Sequence, residues 1–354
     1  MYLETGRYAG WPANYGIWSW GDEIVVGFTV GHYKSGGGFH ERDRTRPFTT
    51  MQARSLDGGG TWHVSETPCQ TPGGRALSAD EHVDEPLRIA KHLNAAGALS
   101  VCRGVDFAHP DFALMCARTC LAWGARSWFY TSVDRCRTWD GPFLLPAFGM
   151  LGVAARTDYL VGGPAQCDLF LTGTKSNGRE GRPFCARTVD GGASFELLSF
   201  IGDEPDGHAI MPASSRLADG SVLVAVRTRG TDDVAGCWID LFASDDGCRS
   251  WERLGRAVDS TGAKGNPPTL TQLQDGRQCI TYGFRDPPHQ ICARMSADDG
   301  RSWSDTVVLR EHAGGGDMGY PRTVQRSDGA MVTVYYWYDA SGTDRYISAT
   351  IWQP

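Results

Sequence analysis

The chain has 354 residues, 41% apolar and 21% charged, with 34 basic against 41 acidic side chains and a formal net charge of −7. That length suits one large domain or two medium ones, and the apolar fraction is too high for a disordered chain. The acidic balance excludes a broadly basic nucleic-acid footprint, and no run approaches the roughly 18 apolar residues of a membrane span.

The opening residues, Met1-Tyr2-Leu3-Glu4-Thr5-Gly6, carry neither a basic nor an apolar signal region. The expectation is a cytoplasmic protein, or one exported after a signal was removed. Short β-rich runs follow along the chain, for example at 23–30, 221–226, 278–282 and 331–336, each bounded by Gly, Asp or Ser. Helical periodicity over three turns is absent, so the pattern predicts an all-β protein. Eleven cysteines, without a CxxC pair and with only Cys116 and Cys120 close together, read as buried reduced thiols rather than a disulfide framework. No Cys/His cluster has zinc-like spacing, so neither a metal nor another cofactor is expected.

One octet recurs five times. It starts at Ser55, Ser132, Thr188, Ser244 and Ser296, with an Asp at the third position (Asp57, Asp134, Asp190, Asp246, Asp298) and an aromatic at the eighth (Trp62, Trp139, Phe195, Trp251, Trp303). A hydroxyl residue opens each copy and another precedes the aromatic. The Asp side chain can accept backbone N–H bonds across such a loop, and the small fifth residue, Gly or Cys, lets the chain turn tightly. A second repeat supports the first: Pro212, Pro268 and Pro321 each stand seven residues before an Asp-Gly turn, at Asp219, Asp275 and Asp328. An opening segment, an inner strand, an Asp-Gly turn and a second strand, with the octet between two outer strands, make a four-stranded propeller blade.

Five octets plus a last unit without one predict a single six-bladed β-propeller spanning 1–354, with seven blades if an insertion hides one. The widest gap between octets places that insertion in or beside blade two, at 82–120. The last unit needs a strand from the other end of the chain to close the ring.

The octet resembles the Asp-box, or bacterial neuraminidase repeat, of the sialidase superfamily. Four further stretches look like bacterial proteins of the exo-α-sialidase type: Trp11-Pro-Ala-Asn, Ala154-Ala-Arg-Thr-Asp-Tyr, Gly265-Asn-Pro-Pro and Gly319-Tyr-Pro-Arg. The resemblance implies a ligand over the central axis, near residues preceding the repeated prolines and residues leaving the second strands. The former are Trp11, Glu85, Met211, Pro267 and Tyr320; the latter are His32, Arg103, Arg227, Arg285 and Tyr338.

Sialidases hold the substrate carboxylate with three arginines, whose planar fork meets a carboxylate bidentately. Arg227 and Arg285 resemble the second and third. The first belongs in an Arg-Ile-Pro-like opening; Gly10-Trp11-Pro12 stands there instead, leaving Arg7, Arg54 or Arg322 to supply it. Tyr320 matches the nucleophilic tyrosine, a neutral phenol that does not repel the substrate carboxylate. Its base, a Glu in the family, has Met211 at the matching place, so Glu85, Glu204, Asp206 and Asp317 are the substitutes. The general acid falls on the Gly-rich loop 34–48, as Asp43, with His40 and Glu41 as alternatives. These features imply an exo-glycosidase taking a terminal acidic sugar, such as sialic acid, from a glycan. A uronate-polysaccharide lyase or hydrolase, or a non-catalytic glycan-binding propeller, are the competing readings.

Overall fold

The computed structural model describes residues 1–72, 82–93, 97–231 and 236–354. Six antiparallel blades surround one axis, and the chain is nearly free of helix. In blade one, β1 (Arg7–Gly10) and β2 (Ile17–Trp20) pair with the same edge of β3 (Glu23–His32). They form one inner strand interrupted by the single turn α1 (Pro12–Tyr15). Outside β3 lie β4 (Thr49–Ser55) and β5 (His63–Glu66). Blade two follows a 3₁₀ turn, Glu85–Leu87, and the short α2 (Ile89–His92), with β6 (Ala113–Arg118), β7 (Ser127–Ser132) and β8 (Asp140–Leu144). Its innermost position holds no strand among the described residues.

Blade three is β9 (Tyr159–Val161), β10 (Cys167–Thr174), β11 (Glu180–Thr188) and β12 (Glu196–Phe200). Blade four is β13 (His208–Arg216), β14 (Val222–Arg229), β15 (Cys237–Ser244) and β16 (Glu252–Val258). Blade five is β17 (Thr269–Gln272), β18 (Gln278–Phe284), β19 (Gln290–Ser296) and β20 (Val307–Arg310). Blade six is β21 (Gly319–Gln325), β22 (Met331–Trp337) and β23 (Tyr346–Trp352). Tyr2 exchanges two backbone bonds with Ile347 on β23, at 3.2 and 3.0 Å, so the first residues of the chain close the ring on the last blade.

Of the stretch 82–120, residues 113–118 are a regular blade strand, and residues 94–96 lie outside the described residues. This shifts one expectation. The second strand of blade two ends at Arg118, whereas Arg103 sits exposed in a segment without regular structure.

The five octets close as the sequence predicts. In the first, Asp57 accepts the Thr61 backbone N–H at 2.8 Å and the Thr61 hydroxyl at 2.7 Å, while Ser55 Oγ accepts from Gly59 N at 2.8 Å. The fourth and fifth residues are both left-handed, at φ 67° and 94° for Gly58 and Gly59. Cys136 and Cys248 take the fifth place at φ 61° and 66°, buried under the turn. All eleven cysteines are free thiols, and nine are buried.

Alternating strand residues pack between neighbouring blades, because the second strand of each blade is buried on both faces. Val25 meets Trp128 and Met115 between blades one and two, and Leu114 meets Leu169 between two and three. Leu223 meets Ile280 between four and five, and Val26 meets Val334 where blade six returns to blade one.

Candidate functional site

Trp11, Met211 and Tyr320 each precede a proline and each adopt a left-handed backbone, at φ 60°, 55° and 52°. A non-glycine residue there costs about 1–3 kcal/mol and persists only where its surroundings enforce it. The β-ladder register slips at two of these places, between Ile210 and Ala213 and between Gly319 and Arg322. A bulge of this kind re-aims a side chain. The result is convergence: Tyr320 packs against both the Trp11 cluster and the Ile210–Met211 cluster.

Asn266 holds the Tyr320 bulge. Its Oδ1 accepts the Tyr320 N–H at 2.8 Å and its Nδ2 donates to the Met318 carbonyl at 2.9 Å. Gly319, at φ +103°, is the only residue type that fits, since a Cβ there would lie 2.3 Å from Asn266 Nδ2.

Arginines surround the Tyr320 phenol. Arg227, from the end of β14, donates Nη1 to the Tyr320 hydroxyl at 3.3 Å and Nη2 to the Lys264 carbonyl at 2.7 Å. The Arg285 guanidinium lies 5.3 Å from the Tyr320 ring centre and 5.2 Å from that of Phe39. Arg156, from the segment before β9, adds its charge to the same phenol and pairs with Glu180. Arg118 is buried beside Arg156, and that burial, with the like charge of Arg156, lowers its pKa to about 9. Burial would raise the Tyr320 pKa, but Arg227, Arg285 and Arg156 outweigh it and bring the phenol below its ordinary value.

A second cluster adjoins the first. Arg285 Nη2 donates to the Tyr336 hydroxyl at 2.8 Å, and Tyr336 donates to Asp317 Oδ1 at 2.8 Å. Asp317 also accepts from Tyr8 at 3.1 Å and from Arg345 Nε at 3.3 Å, and lies 2.6 Å from His40 Nδ1. Burial opposes ionisation of Asp317, yet His40, Arg285 and Arg345 hold its pKa below the usual carboxylate range.

Tyr320, Arg227, Arg285, Trp11, His40 and Asp317 thus share one axial site. The side chains of Glu85, Glu204, Asp43, Arg7 and Arg322 bond to other partners. Glu85 is exposed on the 3₁₀ turn and pairs with Lys91 at 2.5 Å. Glu204 accepts from Ser176 N at 3.0 Å and Oγ at 2.6 Å. Asp43 accepts from Thr45 N at 3.0 Å and Oγ1 at 2.7 Å. Arg7 contacts His32 Nε2 at 2.8 Å. Arg322 donates to the carbonyls of Ala13 and Thr157, tying blades one, three and six together.

Sequence reasoning missed Arg118, Arg156, Asn266, Tyr8 and Tyr336. Signals were present: Arg156 and Asn266 lie in stretches already noted, and Arg118 closes the second strand of its blade, which the long segment before β6 concealed. Among the described residues no three His, Cys, Asp or Glu side chains group as metal ligands, and no helix is long and apolar enough to cross a membrane.

Octets, blades and an arginine-lined axis define a sialidase-like propeller. The BNR repeat-like domain matches residues 112–334, more than half the chain, and the chain belongs to that family. A protein of unknown function from Dyadobacter fermentans superposes with a TM-score of 0.73 at 18% identity, covering 100% of this chain and 96% of that one. The NanB sialidase of Streptococcus pneumoniae gives 0.61 at 11% identity, covering 96% and 68%. The intramolecular trans-sialidase of Ruminococcus gnavus gives 0.54 at 13% identity, covering 96% and 94%. No curated protein sequence matches the chain.

Proposed function

We propose that this protein is an exo-acting glycosidase of the sialidase type, removing a terminal carboxylated sugar from a glycan. The observation that carries the reading is the convergence of Arg227, Arg285 and Arg156 on the Tyr320 phenol. In a chain of net charge −7, the axis gathers positive charge, and a focused cationic pocket selects an anionic ligand. Arg227 and Arg285 would clamp the sugar carboxylate, with Arg156 as the third cation. Tyr320 would attack the anomeric carbon. The arginines that depress its pKa supply part of the activation that a neighbouring carboxylate base gives elsewhere, because they stabilise the phenolate directly.

One observation favours a second reading. The Tyr320 hydroxyl bonds to Arg227, and no carboxylate bonds to it among the described residues. A lyase acting on uronate polysaccharides would use the same arginines for the uronate and an ionised tyrosine as the base.

An aryl α-sialoside releasing a fluorophore, assayed beside uronate oligosaccharides monitored by ultraviolet absorbance of the unsaturated product, separates the two. Fluorophore release is the expected result. An unsaturated product without fluorophore release overturns it in favour of the lyase. Calorimetric binding of both ligands without turnover of either leaves a glycan-binding propeller.

A further inference from the structure

Loop 33–48, between β3 and β4, carries His40 into the axial site. There His40 Nδ1 lies 2.6 Å from Asp317 Oδ1. Asp317 already accepts O–H groups from Tyr8 and Tyr336 and an N–H from Arg345. With that many donors it stays ionised, so the proton in the short contact belongs to His40 Nδ1. Nε2 is then the nitrogen that can give or take a proton, and no protein group bonds to it among the described residues.

The ring is held as well as paired. It stands edge-on to Trp11 at 5.3 Å and 87°, and to Phe39 at 5.0 Å and 67°. The side chain keeps 23% of its surface exposed. Phe39, its neighbour, lies against the Arg285 guanidinium, which also faces Tyr320. Asp43, on the same loop, is instead bound to Thr45 and 3.7 Å from Lys34.

We propose that His40, oriented by Asp317, is the acid–base residue of this site; the proposal rests on the glycosidase reading above. In the first step the ionised Tyr320 oxygen bonds to the anomeric carbon and the bond to the leaving oxygen breaks. That oxygen takes the proton from His40 Nε2. In the second step a water oxygen bonds to the anomeric carbon and the tyrosyl bond breaks, returning its electron pair to Tyr320. The water proton returns to His40 Nε2. Asp317 is a positioning residue that fixes the tautomer throughout.

The groups facing His40 are Tyr8 from β1, Trp11, Phe39 and Arg42 from its own loop, Arg285 from blade five, and Asp317 from blade six, which Tyr336 and Arg345 in turn bond. Burial, with Arg285 and Arg42, holds the imidazole pKa below its usual 6.5 against the pull of Asp317. The imidazolium needed in the first step is therefore lost as pH rises and the Tyr320 phenolate is lost as pH falls, so kcat/KM declines on both sides of its optimum.

The test compares the parent with H40A, H40Q and D317N on an alkyl and an aryl α-sialoside. In H40A and H40Q, turnover of the alkyl glycoside falls by roughly 100-fold or more, and that of the aryl glycoside, whose leaving oxygen needs no proton, by far less. Added imidazole restores part of the alkyl turnover in H40A. D317N keeps KM and moves the limb that follows His40 to lower pH, because the carboxylate no longer stabilises the imidazolium. H40A that turns over the alkyl glycoside as fast as the parent, with the same limb, overturns the proposal alone. A parent that turns over neither glycoside overturns the glycosidase reading and this proposal with it.

Discussion

Arg227 Nη1 donates to the Tyr320 hydroxyl at 3.3 Å, joining the end of β14 in blade four to the start of the inner strand of blade six. The bond puts a cation on a phenol whose burial would otherwise suppress its ionisation. Arg285 and Arg156 add to it, and the sum turns the direction of the pKa shift downward. A half-buried tyrosine becomes easier to ionise than a free one.

That shift is directly measurable. The phenolate absorbance of the parent, titrated against Y320F, should reveal one tyrosine ionising below the ordinary value of 10. R227A should return that ionisation to higher pH. A difference titration that shows Tyr320 ionising above 10 would remove the basis for phenolate chemistry.

Binding and turnover should separate between residues. R227A and R285A should each weaken a carboxylated sugar by about 1.5–3 kcal/mol in calorimetry, the usual value of a charge-assisted contact. Y320F should bind the same sugar much as the parent does and lose most turnover, since it removes the reacting oxygen and little volume. R285A should also lower the melting temperature, because Arg285 satisfies the Met318 carbonyl and Tyr336.

The Tyr320 bulge depends on Asn266. N266A leaves the Tyr320 N–H without its partner, while the Met318 carbonyl keeps Arg285, and should destabilise the fold by about 1–3 kcal/mol. G319A meets Asn266 at a left-handed backbone position and should cost about 1–3 kcal/mol from strain alone. Thermal melts of both variants check this. Melts equal to the parent's would mean that the bulge is held by something else.

The octets predict the acid limb of stability. Asp57, Asp190 and Asp298 are brought down to about 2 by backbone and hydroxyl donors within their own turns. A depressed carboxylate pKa gives stability that is full above the unfolded value near 3.8 and lost as pH falls through the folded value. Denaturant midpoints should therefore drop between about pH 4 and 2. Replacing these three residues with Asn should flatten that drop while lowering stability at neutral pH.

Much of the fold was readable because its chemistry is local. Each octet closes within eight residues, so hydroxyl, Asp, small residue and aromatic recur visibly whatever surrounds them. The Asp-Gly turns after Pro212, Pro268 and Pro321 mark the inner hairpins for the same reason. Arg227 and Arg285 were legible from their place after similar strands, and Tyr320 from the proline beside it. The partners of these residues were not. His40 and Asp317 are separated by 277 residues, and Tyr8 and Asp317 by 309. Ring closure, through Tyr2 with Ile347 and Ala9 with Arg345, brings blade one beside blade six. Nor does sequence spacing say which of Arg7, Arg322, Arg118 and Arg156 faces the axis. Bulges, left-handed residues and the width of the ring aim those side chains, and each depends on contacts between blades. Local hydrogen bonds therefore determined the blade, whereas the packing of six blades around a common axis decided which charges meet.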